Sequence, residues 1–396
     1  MIQIKNKRVS RRDFLKFGGA SALGLSLARL RFTGALPAGE LLLYVGTYTT
    51  GKSEGIYRYR FNLSSGELKH VGTTSHVTNP SYLTLSPSGR HLYAVNEVDE
   101  FGNSKSGAIS AFAVDERSGE LRLLNQQPSL GASPCYVEIN AHGSFVLAAN
   151  YGGGNVAVFP VQPDGSLGAA TEMKQDEGSS INRDRQEGPH AHCILLDRSN
   201  GFAYSCDLGT DRIMIFRFDD RNGKLQPVAP PWFQLQPGAG PRHLAFHPSG
   251  KYIFVINELN STITAFARDH ANGSLQPLRT LTTVPDNFRG ANSGADIHVS
   301  PDGRFVYCSN RGHDSIAIFA VDRAGGLTAV GHESTRGTTP RNFAIHPSGT
   351  FLLVANQKSD SIVVFRRDQS TGRLTATGQV VEVPVPVCLK FAGTIS

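Results

Sequence analysis

Residues 240–258, GPRHLAFHPSGKYIFVINE, decide how the whole chain is read. The stretch opens on a Pro-led apolar run, turns through His-Pro-Ser-Gly and returns as a second apolar run ending in Asn-Glu. Proline fixes φ and glycine permits positive φ, so the middle reads as a tight turn and the flanks as a hairpin. Five more stretches repeat the design: NPSYLTLSPSGRHLYAVNE (79–97), SPCYVEINAHGSFVLAANY (133–151), GPHAHCILLDRSNGFAYSCDL (188–208), SGADIHVSPDGRFVYCSNR (293–311) and TPRNFAIHPSGTFLLVANQ (339–357). Each is followed by an alternating strand, such as STITAFARD (261–269) or DSIAIFAVD (314–322), and a turn closing on Gly-x-Leu or Gly-Leu. The leading residues are Pro80, Pro134, Pro189, Pro241, Gly294 and Pro340. Their spacing of roughly 46 to 55 residues is the length of a four-stranded propeller blade.

A seventh copy is split. LLLYVGTYT (41–49), GIYRYRFN (55–62) and SGELKHVG (65–72) supply three strands without a Pro-led first one, and VPVCLKF (385–391) supplies it from the far end. The expected fold is therefore all-β: a seven-bladed β-propeller closed by pairing of the C-terminal strand with the N-terminal blade, which removes the exposed sheet edges. It occupies residues 39–396, and residues 1–38 form a leader.

The leader begins MIQIKNKRVSRRDFLKFGGASALGLSLA, a basic segment, then Ser10-Arg11-Arg12-Asp13-Phe14-Leu15-Lys16, then a short Gly/Ala-rich apolar run. It resembles a twin-arginine export signal, which implies the twin-arginine translocase as a partner and a periplasmic or secreted location. The apolar run is too short for a lasting membrane span, so membrane contact is expected only through the leader. The formal net charge of +6 draws largely on basic residues crowded into this segment. Without it no charge argument for nucleic acid remains. The five cysteines, Cys135, Cys193, Cys206, Cys308 and Cys388, are scattered in apolar runs with no C-x-x-C pair, and read as small buried residues.

Comparing copies assigns roles to columns. Three and five residues after the lead stand Leu83/Leu85, Val137/Ile139, Leu244/Phe246, Ile297/Val299, Phe343/Ile345 and Leu389/Phe391, all apolar. In the fourth copy, counted from Pro189, the pair is His192/Ile194, so His192 is expected in a packing column and His190 in the column of Arg242 and Arg341. The column Gly46, Asn96, Asn150, Asp207, Asn257, Asn310 and Asn356 recurs everywhere, as residues that satisfy local backbone groups do. The next one, Thr47, Glu97, Tyr151, Leu208, Glu258, Arg311 and Gln357, varies as a functional rim does. His247 and His346 belong to the hairpin turns.

Antiparallel pairing brings Glu258 and Arg311 to one channel mouth with His190, His192, Arg242, His243 and Arg341, Glu97 lying farther round. Guanidinium forks bind carboxylate or phosphate, and histidine or glutamate moves a proton near neutral pH, so the rim suits an anionic substrate and acid/base chemistry. A metal held by His190 and His192 with Asp207, Asp211 or Glu258 is the competing reading, disfavoured by the crowding arginines. YGGGN (151–155) lacks the following helix of a phosphate loop, and no G-x-S-x-G elbow marks a serine nucleophile. INRDRQEGPH (181–190) reads as a charged surface insertion.

YVGTYT (44–49), GPHAH (188–192), DLGTDRI (207–213), GPRHLAFHPSGKYIFVINEL (240–259) and SNRGHDSIAIF (309–319) in this order resemble the lactonase family of seven-bladed propellers. That family is typified by propeller-type 6-phosphogluconolactonase and carboxy-cis,cis-muconate lactonizing enzyme. The resemblance implies hydrolysis of a small anionic sugar-acid lactone, with lactonization of a carboxymuconate-type substrate or a non-catalytic binding role as alternatives. It implies His190 or His192, Arg242, Glu258 and Arg311 as catalytic residues. The rim reading adds His243, Arg341, Glu97 and Asp207 as substrate-binding residues. In this scheme Glu258 or a rim histidine activates water, the arginines hold the substrate anion and oxyanion, and neither metal nor organic cofactor is required.

Overall fold

The computed structural model describes residues 39–392; the twin-arginine segment lies outside them. They form seven four-stranded antiparallel sheets, each running from an inner strand at the channel to an outer one. Blade five shows the order: Pro241–Phe246, Tyr252–Asn257, Thr262–Arg268 and Leu275–Thr282. Blade one is composite, with Pro386–Phe391 placed inside Glu40–Thr47, in the register Val45↔Leu389 and Leu43↔Phe391. The expected closure is thus present.

Second strands carry most of the core. Phe145–Asn150, Phe202–Asp207 and Phe351–Asn356 are buried along their full length, because each is covered by neighbouring blades on both faces. A tyrosine at one position of this strand ties blades together. Tyr44, Tyr93, Tyr204 and Tyr307 donate their hydroxyls to the carbonyls of Gly119, Gly165, Gly273 and Gly372 in the outer hairpin of the next blade, at 2.7–3.0 Å. A buried phenol needs such a partner. All five cysteines are buried and free. His247 and His346 sit in hairpins, each with Nδ1 on the serine two residues on, at 2.8 and 2.7 Å.

The inner strands are irregular in a way that shapes the channel. In blade five Pro241 pairs with Asn257, yet His243 pairs with Ile256, which leaves Arg242 as an extra residue. Blades three and seven repeat this β-bulge at Cys135 and Arg341. A bulge bends the strand and re-aims side chains, here turning two successive residues, Arg242 and His243, toward the channel.

Blade four has the same bulge, and there the sequence register must be corrected. Asp207 pairs with Ala191, not Pro189, and Cys193 pairs with Cys206, so the extra residue is His192. His192 therefore shares the channel column of Arg242 and Arg341 and does not replace a packing residue. His190 falls where Gly240 and Thr339 stand: the carbonyls of all three accept the rim amides of Leu208, Glu258 and Gln357. Strand register follows backbone pairing, and aligning the copies by proline overlooked the longer run from Pro189 to Asp207. Blade one needs a one-residue shift as well. Pro386 pairs with Thr47, whose hydroxyl donates to the Gly55 carbonyl at 2.7 Å, so the rim residue of that blade is Tyr48.

Candidate active site

At the mouth where the inner strands begin, the paired bulge residues line a small cavity of about 10 Å³, room for roughly one water. Arg242 and His243 of blade five face Arg341 and Asn342 of blade seven, with Ser81, Tyr82, Glu97 and Cys135 opposite. The floor is aromatic. Tyr82 and Tyr136 stack at 4.1 Å between centroids, and His243 meets both rings edge-on at 5.8 and 5.2 Å.

Glu258 is the electrostatic centre of the rim. Its Oε2 is 2.9 Å from Arg242 Nε and 2.8 Å from Arg311 Nη2, and its Oε1 is 2.7 Å from Arg185 Nη2. Burial alone raises a carboxyl pKa, but Arg311, Arg242 and Arg185 outweigh it and hold Glu258 far below the ordinary carboxylate range. Arg311 pays for the crowding: burial, with repulsion from Arg242 and Arg341, brings it down to about 10 against the pull of Glu258. Glu97 accepts from Tyr48 Oη at 2.8 and 2.9 Å and from Ser81 Oγ. Among the described residues no carboxylate pairs with Arg341, whose guanidinium carbon lies 5.3 Å from the Tyr48 ring centroid. Two cations, Arg242 and Arg341, thus line the cavity.

The histidines divide. His192 is buried, with Nδ1 3.6 Å from Cys135 Sγ and its ring 5.1 Å from that of His243. Burial, then Arg242, His243 and Arg341, pull its pKa well below the usual value and keep it neutral. His190 stacks on Tyr151 at 4.4 Å, with Nδ1 on the Tyr151 carbonyl at 2.9 Å and Nε2 3.1 Å from Glu187 Oε1. The two therefore diverge and form no chelate. His243 places Nδ1 2.8 Å from Asp296 Oδ1, and burial followed by Arg242 brings it down to about 3 despite that carboxylate.

Of the residues expected at the mouth, Arg242, His243, Arg341 and Glu97 line the cavity, while Glu258 and Arg311 flank it through Arg242. Asp207 does not join them. Fully buried, it accepts the backbone N–H groups of His190, Gly209 and Thr210 at 2.7–3.2 Å, the local role its column implies. Sequence reasoning missed Asp296, Tyr48, Asn342 and Arg185. The doubled rim positions become visible once a bulge is placed at each inner strand. Arg185 sits within the charged insertion, but nothing in the sequence says that the insertion reaches Glu258.

A family model described as "Lactonase, 7-bladed beta-propeller" matches residues 42–391. A 6-phosphogluconolactonase of Bacillus subtilis is 39% identical over 349 residues, 88% of this chain and 97% of that protein. A 6-phosphogluconolactonase of Formosa agariphila is 39% identical over 311 residues, covering 76% and 86%. The solved structure of the periplasmic gluconolactonase of Pseudomonas aeruginosa superposes with a TM-score of 0.83 at 36% identity, covering 89% of this chain and 99% of that one.

Proposed function

The chain belongs to the lactonase family of seven-bladed β-propellers, and from that premise we propose that it opens an aldonolactone outside the cytoplasm. The reaction class is that of a lactonase, a carboxylic-ester hydrolase. The substrate is a gluconolactone-type ring, 6-phosphogluconolactone or its unphosphorylated form. The observation that carries this choice is the pairing of Arg341, without a carboxylate partner, and Arg242 inside a cavity that also offers Glu97, Ser81 and His243. Guanidinium donors suit a phosphate, a carboxylate or the oxyanion that forms at the attacked carbonyl, and they act most strongly where water is excluded. A hydroxyl of a sugar ring finds an acceptor in Ser81 Oγ, whose own hydrogen is donated to Glu97.

Glu258 enters the scheme as the counter-charge that brings three arginines together. A carboxylate so stabilised is a weak base, so its contribution is to the placement of Arg242 and Arg311.

Export favours the unphosphorylated lactone. The Ser-Arg-Arg-x-Phe-Leu-Lys sequence at residues 10–16 supports passage through the twin-arginine translocase, and the similar Pseudomonas aeruginosa protein is periplasmic. Among the described residues no helix is long and apolar enough to cross a membrane. The deciding experiment is an assay of the purified mature protein on gluconolactone, 6-phosphogluconolactone and a muconolactone, with and without chelator. Chelator-insensitive opening of a gluconolactone is expected. Turnover of the muconolactone alone points to a cycloisomerase, and no turnover of any points to a binding protein. Replacing Arg11 and Arg12 with lysine is expected to retain the protein in the cytoplasmic fraction.

A further inference from the structure

We propose that His243, backed by Asp296, is the positioning residue for Arg242: it holds the guanidinium so that Nη2 alone is left to donate to an oxygen of the bound lactone. The inference rests on the lactonase reading and names what keeps the buried cation of that site in one orientation.

Arg242 is buried, and its fork is tied at two of its three nitrogens. Nε lies 2.9 Å from Glu258 Oε2, and Nη1 donates to the Ala295 carbonyl at 2.5 Å and to His243 Nε2 at 3.3 Å. Those two bonds use both hydrogens of Nη1. Among the described residues Nη2 makes no hydrogen bond to the protein, and it belongs to a side chain on the cavity wall. A guanidinium is planar, so fixing two nitrogens fixes where the third points.

The contact with His243 has one polarity. An arginine nitrogen only donates, so Nε2 presents its lone pair and the ring hydrogen is on Nδ1. Asp296 sets that tautomer. Its Oδ1 takes His243 Nδ1 at 2.8 Å and the Ile297 amide at 3.0 Å; its Oδ2 takes His298 Nε2 at 2.9 Å, Asn342 Nδ2 at 2.6 Å and the Phe343 amide at 3.3 Å. Burial alone raises the pKa of Asp296, but His298 and His243 outweigh that and hold it well below the ordinary carboxylate range, as an acceptor only. Burial and then Arg242 keep His243 neutral, which is the form that accepts from Nη1; a proton on Nε2 would set an N–H and a positive charge against the guanidinium. Tyr82, Tyr136 and His192 meet the ring edge-on and fix its plane.

Blade seven shows what the histidine adds. Neighbouring side chains on a regular strand face opposite ways, and the bulge at Arg242 is what lets residues 242 and 243 meet. The same bulge occurs at Arg341, but Asn342 commits both ends of its amide elsewhere, Nδ2 to Asp296 and Oδ1 to the Leu389 amide at 2.7 Å. Arg341 therefore makes no hydrogen bond with its neighbour and rests on the Tyr48 ring, a contact with little direction. Arg242 is the aimed donor of the two, and an aimed donor is what a developing oxyanion requires.

The test uses the full mature chain with gluconolactone followed by acid release, and the unfolding midpoint of every variant. Arg242→Lys, which keeps the charge without the fork, is expected to lower kcat/KM about 100-fold, the scale of one preorganised donor. His243→Phe keeps a ring against Tyr82 and Tyr136 but removes the acceptor, and is expected to lower kcat/KM about tenfold or more, as misaiming a reacting group does. The decisive readout is the combination. Added to Arg242→Lys, His243→Phe is expected to lower kcat/KM by less than about twofold further, because residues that act through one donor are not additive. Asp296→Asn, which no longer fixes the hydrogen on Nδ1, is expected to follow the same pattern on a smaller scale, and it decides if His243→Phe does not fold. A merely structural histidine would lower the midpoint without this loss of additivity. An active wild type in which the two losses multiply, or in which His243→Phe stays within about twofold of it, overturns the positioning role alone. A wild type that opens no lactone overturns the lactonase reading and this inference with it.

Discussion

Glu258 and His243 are both buried beside Arg242, and their opposite responses to it set the pH behaviour of the site. The arginines stabilise the charged form of Glu258 and, with burial, destabilise the charged form of His243. Each folded pKa is therefore lowered, and in both cases stability is present above the unfolded pKa and lost as pH falls. The windows differ. The histidine contribution begins to fall below about 6.5 and continues toward about 3, whereas that of Glu258 begins only below about 4.5. Between these limits His243 and His192, with His346 lowered to about 4, lose stability as pH falls, each by at most about 1.4 kcal/mol per pH unit, while Glu138 and Asp176, raised by burial to about 7 and about 8, act in the opposite direction. In thermal unfolding from pH 6.5 to 5, His243→Gln is expected to lose less stability than the wild type does. An unchanged slope in that variant means that His243 is not held neutral. Glu258→Gln tests the other partner. Removing one side of a buried ion cluster is expected to cost about 3 kcal/mol while the fold persists, and to depress turnover by disordering Arg242 and Arg311. Unchanged lactone opening removes Glu258 from the mechanism. The identity of these residues was legible in the repeats, because variation at one rim position set Glu258 and Arg311 apart. Their electrostatic roles were not, since the three-arginine cluster includes Arg185 from a segment without a counterpart in the other blades.

At the scale of elements, the one-residue bulge in the inner strands does most to build the site. It lets neighbouring positions, Arg242 with His243 and Arg341 with Asn342, enter the same cavity. Bulges have no compositional signature, so strict alternation predicts that only one of each pair faces the channel. The signal that was available is an interval: Ala191 precedes Asp207 by as many residues as Pro241 precedes Asn257. Anchoring on Pro189 hid it and exchanged the columns of His190 and His192. The insertion before blade four is the second shaping element. From it Arg185 reaches Glu258 Oε1 at 2.7 Å and Tyr151 Oη at 3.2 Å, with its own side chain 40% exposed. That exposure makes it a tunable charge at the entrance, unlike the buried Arg242. Arg185→Ala is expected to raise KM for 6-phosphogluconolactone several-fold and to change KM for neutral gluconolactone less, with kcat nearly preserved. Steady-state kinetics on the two substrates at low and high salt checks it. Equal effects on both lactones place Arg185 in local structure instead of substrate attraction.

For the whole molecule, ring closure and site geometry share a residue. The closing strand Pro386–Phe391 pairs with Glu40–Thr47 on one side, and toward blade seven its Leu389 amide donates to Asn342 Oδ1 at 2.7 Å. The other end of the same amide group, Asn342 Nδ2, donates to Asp296 Oδ2 at 2.6 Å, and Asp296 holds His243. Closure was legible because an unpaired first blade and a lone terminal strand complete each other. The link from closure to site was not, because it passes through the second residue of a bulge pair whose direction alternation misassigns. Asn342→Ala tests the coupling. It leaves the buried Leu389 amide without its acceptor and takes one donor from Asp296, a loss of about 1–3 kcal/mol in stability. Because Asp296 keeps His243 and His298 as donors, the propeller is expected to stay folded with a lower unfolding midpoint. Turnover is expected to fall together with stability, since the carboxylate behind His243 is less firmly held. A variant that loses stability but keeps wild-type kcat separates the two, showing that His243 and His298 suffice to fix Asp296 and that the closing strand braces the ring without bracing the chemistry.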